Sequence, residues 1–166
     1  MDSANAHFIT HLTLGHHRPG HDDCPPAFKN EQNAALEGIL AQNRFHPANA
    51  AGGPYKVCLA IEEHRMTIDI RMQDDAPVTM LLLSLKPYRR LIKDYFLMID
   101  SYEQARRHAS REKLEAIDMG RRGIHNEGAT LLQTRLEDKV KIDFETARRL
   151  FTLICSLTGN DVRMIA

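Results

Sequence analysis

Tryptophan is missing from this 166-residue chain, which rules out a Trp-based stacking platform. Cysteine is scarce: Cys24, Cys58 and Cys155 are odd in number, lie far apart and form no CxxC pair. Neither a disulfide framework nor a zinc-ribbon spacing is present, and a reducing compartment is the natural reading. Long hydrophobic runs are also missing. The longest, near Val78 to Leu85, falls far short of the roughly 20 residues that span a bilayer. The start, Met1 to Asn5, has neither a basic leader nor an apolar core of roughly 7–15 residues. A cytoplasmic protein with no membrane association is expected. No Walker-type loop, HExxH, nucleophile elbow or EF-hand occurs, and Gly52-Gly53-Pro54 lacks the lysine and serine of a P-loop. The common cofactor enzymes are thereby disfavoured, and no cofactor is expected.

What is present is an ordinary globular composition, 43% hydrophobic and 27% charged, which excludes collagen-like, coiled-coil and wholly disordered chains. A chain of this length makes one domain that buries about 70% of its unfolded surface. Net charge is zero, yet residues 1–85 hold 6 Lys/Arg against 10 Asp/Glu while residues 86–166 hold 16 against 12. Four Arg-Arg pairs, Arg89-Arg90, Arg106-Arg107, Arg121-Arg122 and Arg148-Arg149, sit in the basic half. Their forked guanidinium groups suit phosphate and carboxylate, although neighbours on a helix point about 100° apart, so one of each pair is free to snorkel along the domain instead.

Residues 1–27 read as a flexible N-terminal segment containing an edge strand, Phe8 to Leu14. Residues 28–42 carry Phe28, Ala35, Leu36, Ile39 and Leu40 at helical spacing, and the turn formers from His46 to Pro54 predict a loop. Tyr55 to Ile61, Met66 to Met72 and Val78 to Leu85 predict three strands with hairpin-length connections. In the second, Met66, Ile68, Ile70 and Met72 face one way and Thr67, Asp69 and Arg71 the other, so one sheet face should be wet or only partly covered. Pro87 suits a first helical turn, Ser110 a cap for a second helix with Leu114, Ile117, Ile124 and Leu131 inward, and Asp143 a cap for a third that Gly159 ends. The expectation is a single α+β domain over residues 28–158, a small antiparallel β-meander packed against three to four α-helices, with a frayed tail at 159–166.

The densest chemistry lies between Ala116 and Gly128, where three glycines and five ionisable residues interrupt a helical pattern. Glycine costs a helix roughly 0.5–1 kcal/mol, so a packing or functional reason is expected. Asp118, Arg122 and His125 fall at i, i+4 and i+7 on one face, oblique to the Ile117/Ile124/Leu131 stripe. Were Gly120, Gly123 or Gly128 to break the helix, free N–H groups beside Arg121 and Arg122 would form an anion-binding concavity. His125, between Arg122 and Glu127, would then be placed for proton transfer. The structural alternative is a helix whose small residues let a neighbour approach, with Asp118–Arg122 a surface pair and His125 a hydrogen-bonded seam residue.

A second basic stretch, Lys86 to Tyr95, gathers Arg89, Arg90 and Lys93 at a helix start with Tyr88 and Tyr95 interleaved. The two tyrosines, seven residues apart, fit a core or rim better than a base-stacking surface. His16, His17, His21, Asp22, Asp23 and Cys24 supply metal-ligand types, but a Gly/Pro-bounded loop gives no fixed geometry, and no metal site is assigned.

The stretches Gly52–Tyr55, Leu83–Arg90, Ile92–Phe96, Glu115–Gly128 and Asp143–Cys155 resemble the uncharacterised protein family UPF0262, short alphaproteobacterial proteins, over residues 28–158. The resemblance implies a bacterial cytoplasmic source. It carries no assigned activity, so no residue role transfers with it. From the residues themselves, the leading expectation is a binding protein for an anionic partner, a phosphorylated metabolite or RNA, held through the Gly120–Gly128 segment by Arg121, Arg122 and Asn126 with Arg89, Arg90 and Lys93. One rival is a small enzyme with His125 as acid or base, Asp118 or Glu127 orienting it and Arg122 stabilising negative charge. Another is a protein-protein adaptor.

Overall fold

The computed structural model describes residues 6–15 and 26–158. Strand β1 (Ile9–Gly15) is followed by helix α1 (Pro26–Ala41), a short strand β2 (Phe45–Pro47), and the hairpin-linked strands β3 (Tyr55–Glu62), β4 (Arg65–Arg71) and β5 (Pro77–Ser84). A 3-10 turn at Lys86–Tyr88 leads into α2 (Arg89–Ala105), then α3 (Arg111–Leu136), β6 (Val140–Ile142) and α4 (Phe144–Thr158). This is the anticipated α+β domain, with four helices on one face of a sheet.

The sheet order is β1-β3-β4-β5. β3, β4 and β5 form the antiparallel meander read from the sequence, but β1 pairs with β3 in parallel, so the whole sheet is mixed. A parallel neighbour needs a long crossover, and α1 with the segment after it supplies one. β1 is an edge strand, as expected. Its irregular start is tied down by Asn43, whose amide accepts from the Ile9 N–H (2.7 Å) and donates to the carbonyls of Ile9 (3.0 Å) and Ile39 (2.8 Å).

Alternation on β4 is as predicted: Met66, Ile68 and Ile70 are buried while the residues between them are not. On β5, Leu81 and Leu83 point into the core, whereas Met80 and Leu82 are exposed on the opposite face. α4 is buried along most of its length, from Leu150 through Ser156 without a break, with Arg148 and Arg149 partly exposed before it. It lies against the sheet, with α1 and α3 packed on it and α2 packed on α3.

β2 and β6, three residues each, form a separate antiparallel ribbon in which Phe45 faces Ile142, His46 faces Lys141 and Pro47 faces Val140. The sequence reading made His46 to Pro54 a loop because three residues are too few for a period-two signal. Asp143 anchors the ribbon to α4. One carboxylate oxygen accepts from the Arg44 N–H (3.0 Å) and the Thr146 hydroxyl, and the other from the Thr146 N–H (3.4 Å), which makes Asp143 the cap that was expected. Ser110 likewise caps α3, accepting from Lys113 N–H at 3.3 Å. The histidine-rich run His16 to Cys24, Gly159 and the 159–166 tail lie outside the described residues.

Candidate functional site

The Ala116–Gly128 stretch is continuous helix inside α3, so no glycine opens a nest of free N–H groups there. Each glycine has a different environment. A Cβ on Gly128 would overlap the ring of Phe151 on α4, one on Gly120 would meet the methyl end of Met98 on α2, and one on Gly123 would meet nothing within 4 Å. Gly128 and Ala129 are what allow α4 to approach. The buried line therefore runs His125, Gly128, Ala129, Leu132, Leu136, with Ile124 and Leu131 half-buried on its flank. The expectation of a stripe centred on Ile117, Ile124 and Leu131, with His125 away from it, is corrected. Large apolar residues set that estimate, but small ones define the closest seam.

His125 sits in this seam, 8% exposed. Its ring centroid is 5.3 Å from that of Tyr95, and Phe151 meets it edge-on at 6.2 Å. Nε2 lies 3.2 Å from the Thr152 hydroxyl, which itself donates to the Arg148 carbonyl at 3.2 Å. With the hydroxyl proton so committed, Thr152 accepts from a protonated Nε2 of a neutral ring. Burial first, then the positive charges of Arg121 and Arg148, push the His125 pKa down to about 4 against a smaller opposing pull from Asp118.

Arg121 is half-buried between two carboxylates, Glu31 of α1 at 2.7 Å and Asp118 at 2.8 Å. Burial works against its charge, and these two partners more than restore it. Asp118 also holds Arg122 at 3.2 Å. Arg122, Asn126 and Glu127 are exposed, but Glu127 stands about 140° around the helix from Arg122 and about 100° from Asn126 at about 100° per residue. The six residues of this stretch thus do not converge on one hollow.

Two stretches read separately do meet. Arg90, at the start of α2, reaches Glu127 of α3 at 3.1 Å and Asp94 of its own helix at 3.3 Å. Beside it Arg89 and Lys93, one turn apart, are exposed and make no ion pair or hydrogen bond among the described residues. Tyr88 underneath is fully buried, and its hydroxyl finds no hydrogen-bond partner among the described residues. Burial raises its phenol pKa well above the usual value, and Arg135, from the last turn of α3, opposes that shift. Tyr95 is buried too, so both tyrosines belong to the core, as the sequence spacing favoured.

A second polar cluster had no sequence signal, because only the fold assembles it. His7 stacks on His46 of β2, ring centroids 3.6 Å apart and planes 14° from parallel, and the Tyr55 hydroxyl lies 2.8 Å from His7 Nδ1. Burial, then the neighbouring His46, lowers the His7 pKa, and burial raises that of Tyr55. Among the described residues no group of three or more His, Cys, Asp or Glu is placed to hold a metal ion, and no helix is long and apolar enough to cross a membrane.

A four-helix, one-sided α+β domain with a basic helix start and a small second ribbon defines the class. The chain belongs to the uncharacterised protein family UPF0262, whose model matches residues 8–160. It is 54% identical over 132 residues to a UPF0262 protein of Nitrobacter hamburgensis, covering 80% of each chain. A second, from Nitrobacter winogradskyi, is 50% identical over 151 residues, 91% of this chain and 89% of the relative. A third, from Maricaulis maris, is 52% identical over 128 residues, 77% and 80% respectively. The family match starts at residue 8, so it takes in β1, which the resemblance over 28–158 had left out. No solved structure matches.

Proposed function

We propose that the protein is a cytoplasmic, non-enzymatic binding protein for an anionic partner, RNA in preference to a phosphorylated metabolite, and that it makes contact through Arg89, Arg90 and Lys93 of α2. The observation that carries this reading is the unneutralised state of Arg89 and Lys93, against an Arg121 already spent on Glu31 and Asp118. The surface is an open helix face, which suits an extended backbone of phosphates better than a compact ligand. With Tyr88 and Tyr95 buried, stacking contributes nothing there, and affinity rests on charge and counterion release. The Gly120–Gly128 segment becomes the packing element that holds α3 in place, with Arg122 and Asn126 as outlying polar groups. The enzyme reading draws less support: His125 is neutral at pH 7, buried, and bonded to Thr152.

The test is fluorescence anisotropy of a labelled single-stranded RNA across a salt series. Affinity is expected to fall by about 0.7 log units per log unit of salt for each phosphate contacted. The double variant R89E/K93E should weaken binding more than tenfold and flatten the slope by about 1.4. No binding at low salt, or a double variant that binds like the parent, would overturn the proposal.

A further inference from the structure

The two edges of the four-stranded sheet are built differently. β1, at one edge, has a register irregularity between Ile9 and His11 and turns His11 and Thr13 to solvent. Polar side chains and a broken register are ordinary means of keeping a free strand from pairing with another chain. β5, at the other edge, lacks both along its length. Its eight residues, Pro77–Ser84, include no charged side chain, its only proline is the first residue, and its pairing with β4 is regular from Thr79 to Ser84. On the face away from the helices Met80 is 59% exposed and Leu82 49%, while the β4 residues level with them are Asp69 and Thr67. The exposed large apolar side chains of the strands thus stand along the strand whose outer N–H and C=O groups pair with no other strand among the described residues. We infer that β5 is the seat of a homodimer, in which a second copy of this chain adds its own β5 antiparallel to the first and two four-stranded sheets become one of eight strands. This goes beyond the α2 surface and uses none of its residues.

The strand is complementary to itself. A two-fold axis through Leu81, normal to the sheet, sets Leu81 against the partner's Leu81, Met80 against the partner's Leu82 and Thr79 against the partner's Leu83, as an isologous contact requires. Opposed side chains share a face, so the exposed Met80 and Leu82 of each copy cover those of the other. Leu81 and Leu83, buried on the helix side, then join the two cores, and the same axis keeps the helices of both copies on one face. Charge selects the same direction. Asp74, in the turn before β5, holds its carboxylate against the Ala76 N–H at 3.1 Å, and Lys86 follows β5 at its other end. The antiparallel register brings Ala76 level with the partner's Lys86, so acid lies toward base at both ends of the seam, whereas a parallel register sets each toward its like. A strand of an unrelated protein would meet the same backbone, but the self-matching of apolar positions and of end charges favours a second copy.

The experiment is sedimentation velocity of the full chain from about 1 µM to about 1 mM, with amide exchange followed at the same concentrations. The expected result is a reversible step from one chain mass to two, with exchange in β5 slowing as the dimer fills. M80K and L82K, at exposed positions, should each raise the dissociation constant at least tenfold with circular dichroism unchanged. L97K, at a comparably exposed apolar position on α2, should not. The register is read by M80C/L82C, which on air oxidation should give a covalent dimer whose disulfide, mapped by mass spectrometry, joins position 80 of one copy to position 82 of the other. The inference is overturned if the chain stays monomeric across the range, which would leave the edge to a different protein, if M80K and L82K dimerise like the parent, or if the 80-to-82 link does not form.

Discussion

The three glycines of α3 give the sharpest test of how this domain is held together, because one substitution, glycine to alanine, should have opposite signs at two of them. At Gly123 the new methyl meets nothing within 4 Å, so only the helix preference acts, and Gly123→Ala should stabilise by up to about 1 kcal/mol. At Gly128 the same gain of about 1 kcal/mol is available, but three ring atoms of Phe151 would lie within 2.6 Å of the methyl carbon. Phe151 is fully buried and has nowhere to turn, so the strain belongs at the upper end of the about 1–3 kcal/mol typical of overpacked cores. The net loss is about 2 kcal/mol, and the two variants should differ by about 3 kcal/mol. For a chain of this size that is a Tm gap of roughly 6–12 °C. Gly120→Ala should fall between them, since the group it meets is the flexible end of Met98. Urea unfolding and calorimetry on all three read this directly. A Gly128→Ala protein as stable as Gly123→Ala would refute the idea that α3 and α4 touch at this residue.

Further expectations concern single groups. The His125 pKa of about 4 lies below the ordinary 6.5, so the fold favours the neutral ring. Its contribution is complete above pH 6.5 and is lost as pH falls from there toward 4, on the order of 3 kcal/mol in all. Urea midpoints measured from pH 7 down to pH 4 should therefore drop more steeply for the parent than for His125→Gln, and parallel curves would contradict the burial argument. Asp143→Ala removes the α4 cap and the acceptor for the Arg44 N–H, and should cost about 1–2 kcal/mol in denaturant unfolding, with Asp143→Asn costing less. Equal losses in the two variants would mean that charge, not the hydrogen bond, is what matters there.

The long elements were readable because their periods repeat: β4 alternates cleanly, α4 carries Ala147, Leu150, Phe151 and Ile154 at helical spacing, and Ser110 and Asp143 mark starts by cap chemistry that is local in the chain. What escaped was set by distance along the chain. β2 and β6 are strands only because residues nearly a hundred positions apart pair, and the parallel seat of β1 depends on where α1 delivers the chain. The candidate site was legible to a similar extent. That Arg89, Arg90 and Lys93 would stand at a helix start followed from Pro87 and the apolar spacing after it. That Arg121 would be neutralised by Glu31, ninety residues earlier, had no local trace. The His125 seam shows the same limit, because the choice between a binding face and a packing seam was made by Phe151 on another helix.

The parallel docking of β1 also dictates an order of assembly. β3, β4 and β5 need only short reversals to zip together, whereas β1 gains its hydrogen bonds only after α1 has brought the polypeptide back across the domain, and such remote closures come late. It is held on one side alone and fastened at its first residue by the Asn43 carboxamide, so it should also be the first ribbon to peel away from the native state. Amide deuteration in native buffer would reveal this as faster exchange at Leu12 and Leu14 than at Ile68 and Ile70, and Asn43→Ala should widen that difference while leaving the middle of the sheet as slow as before.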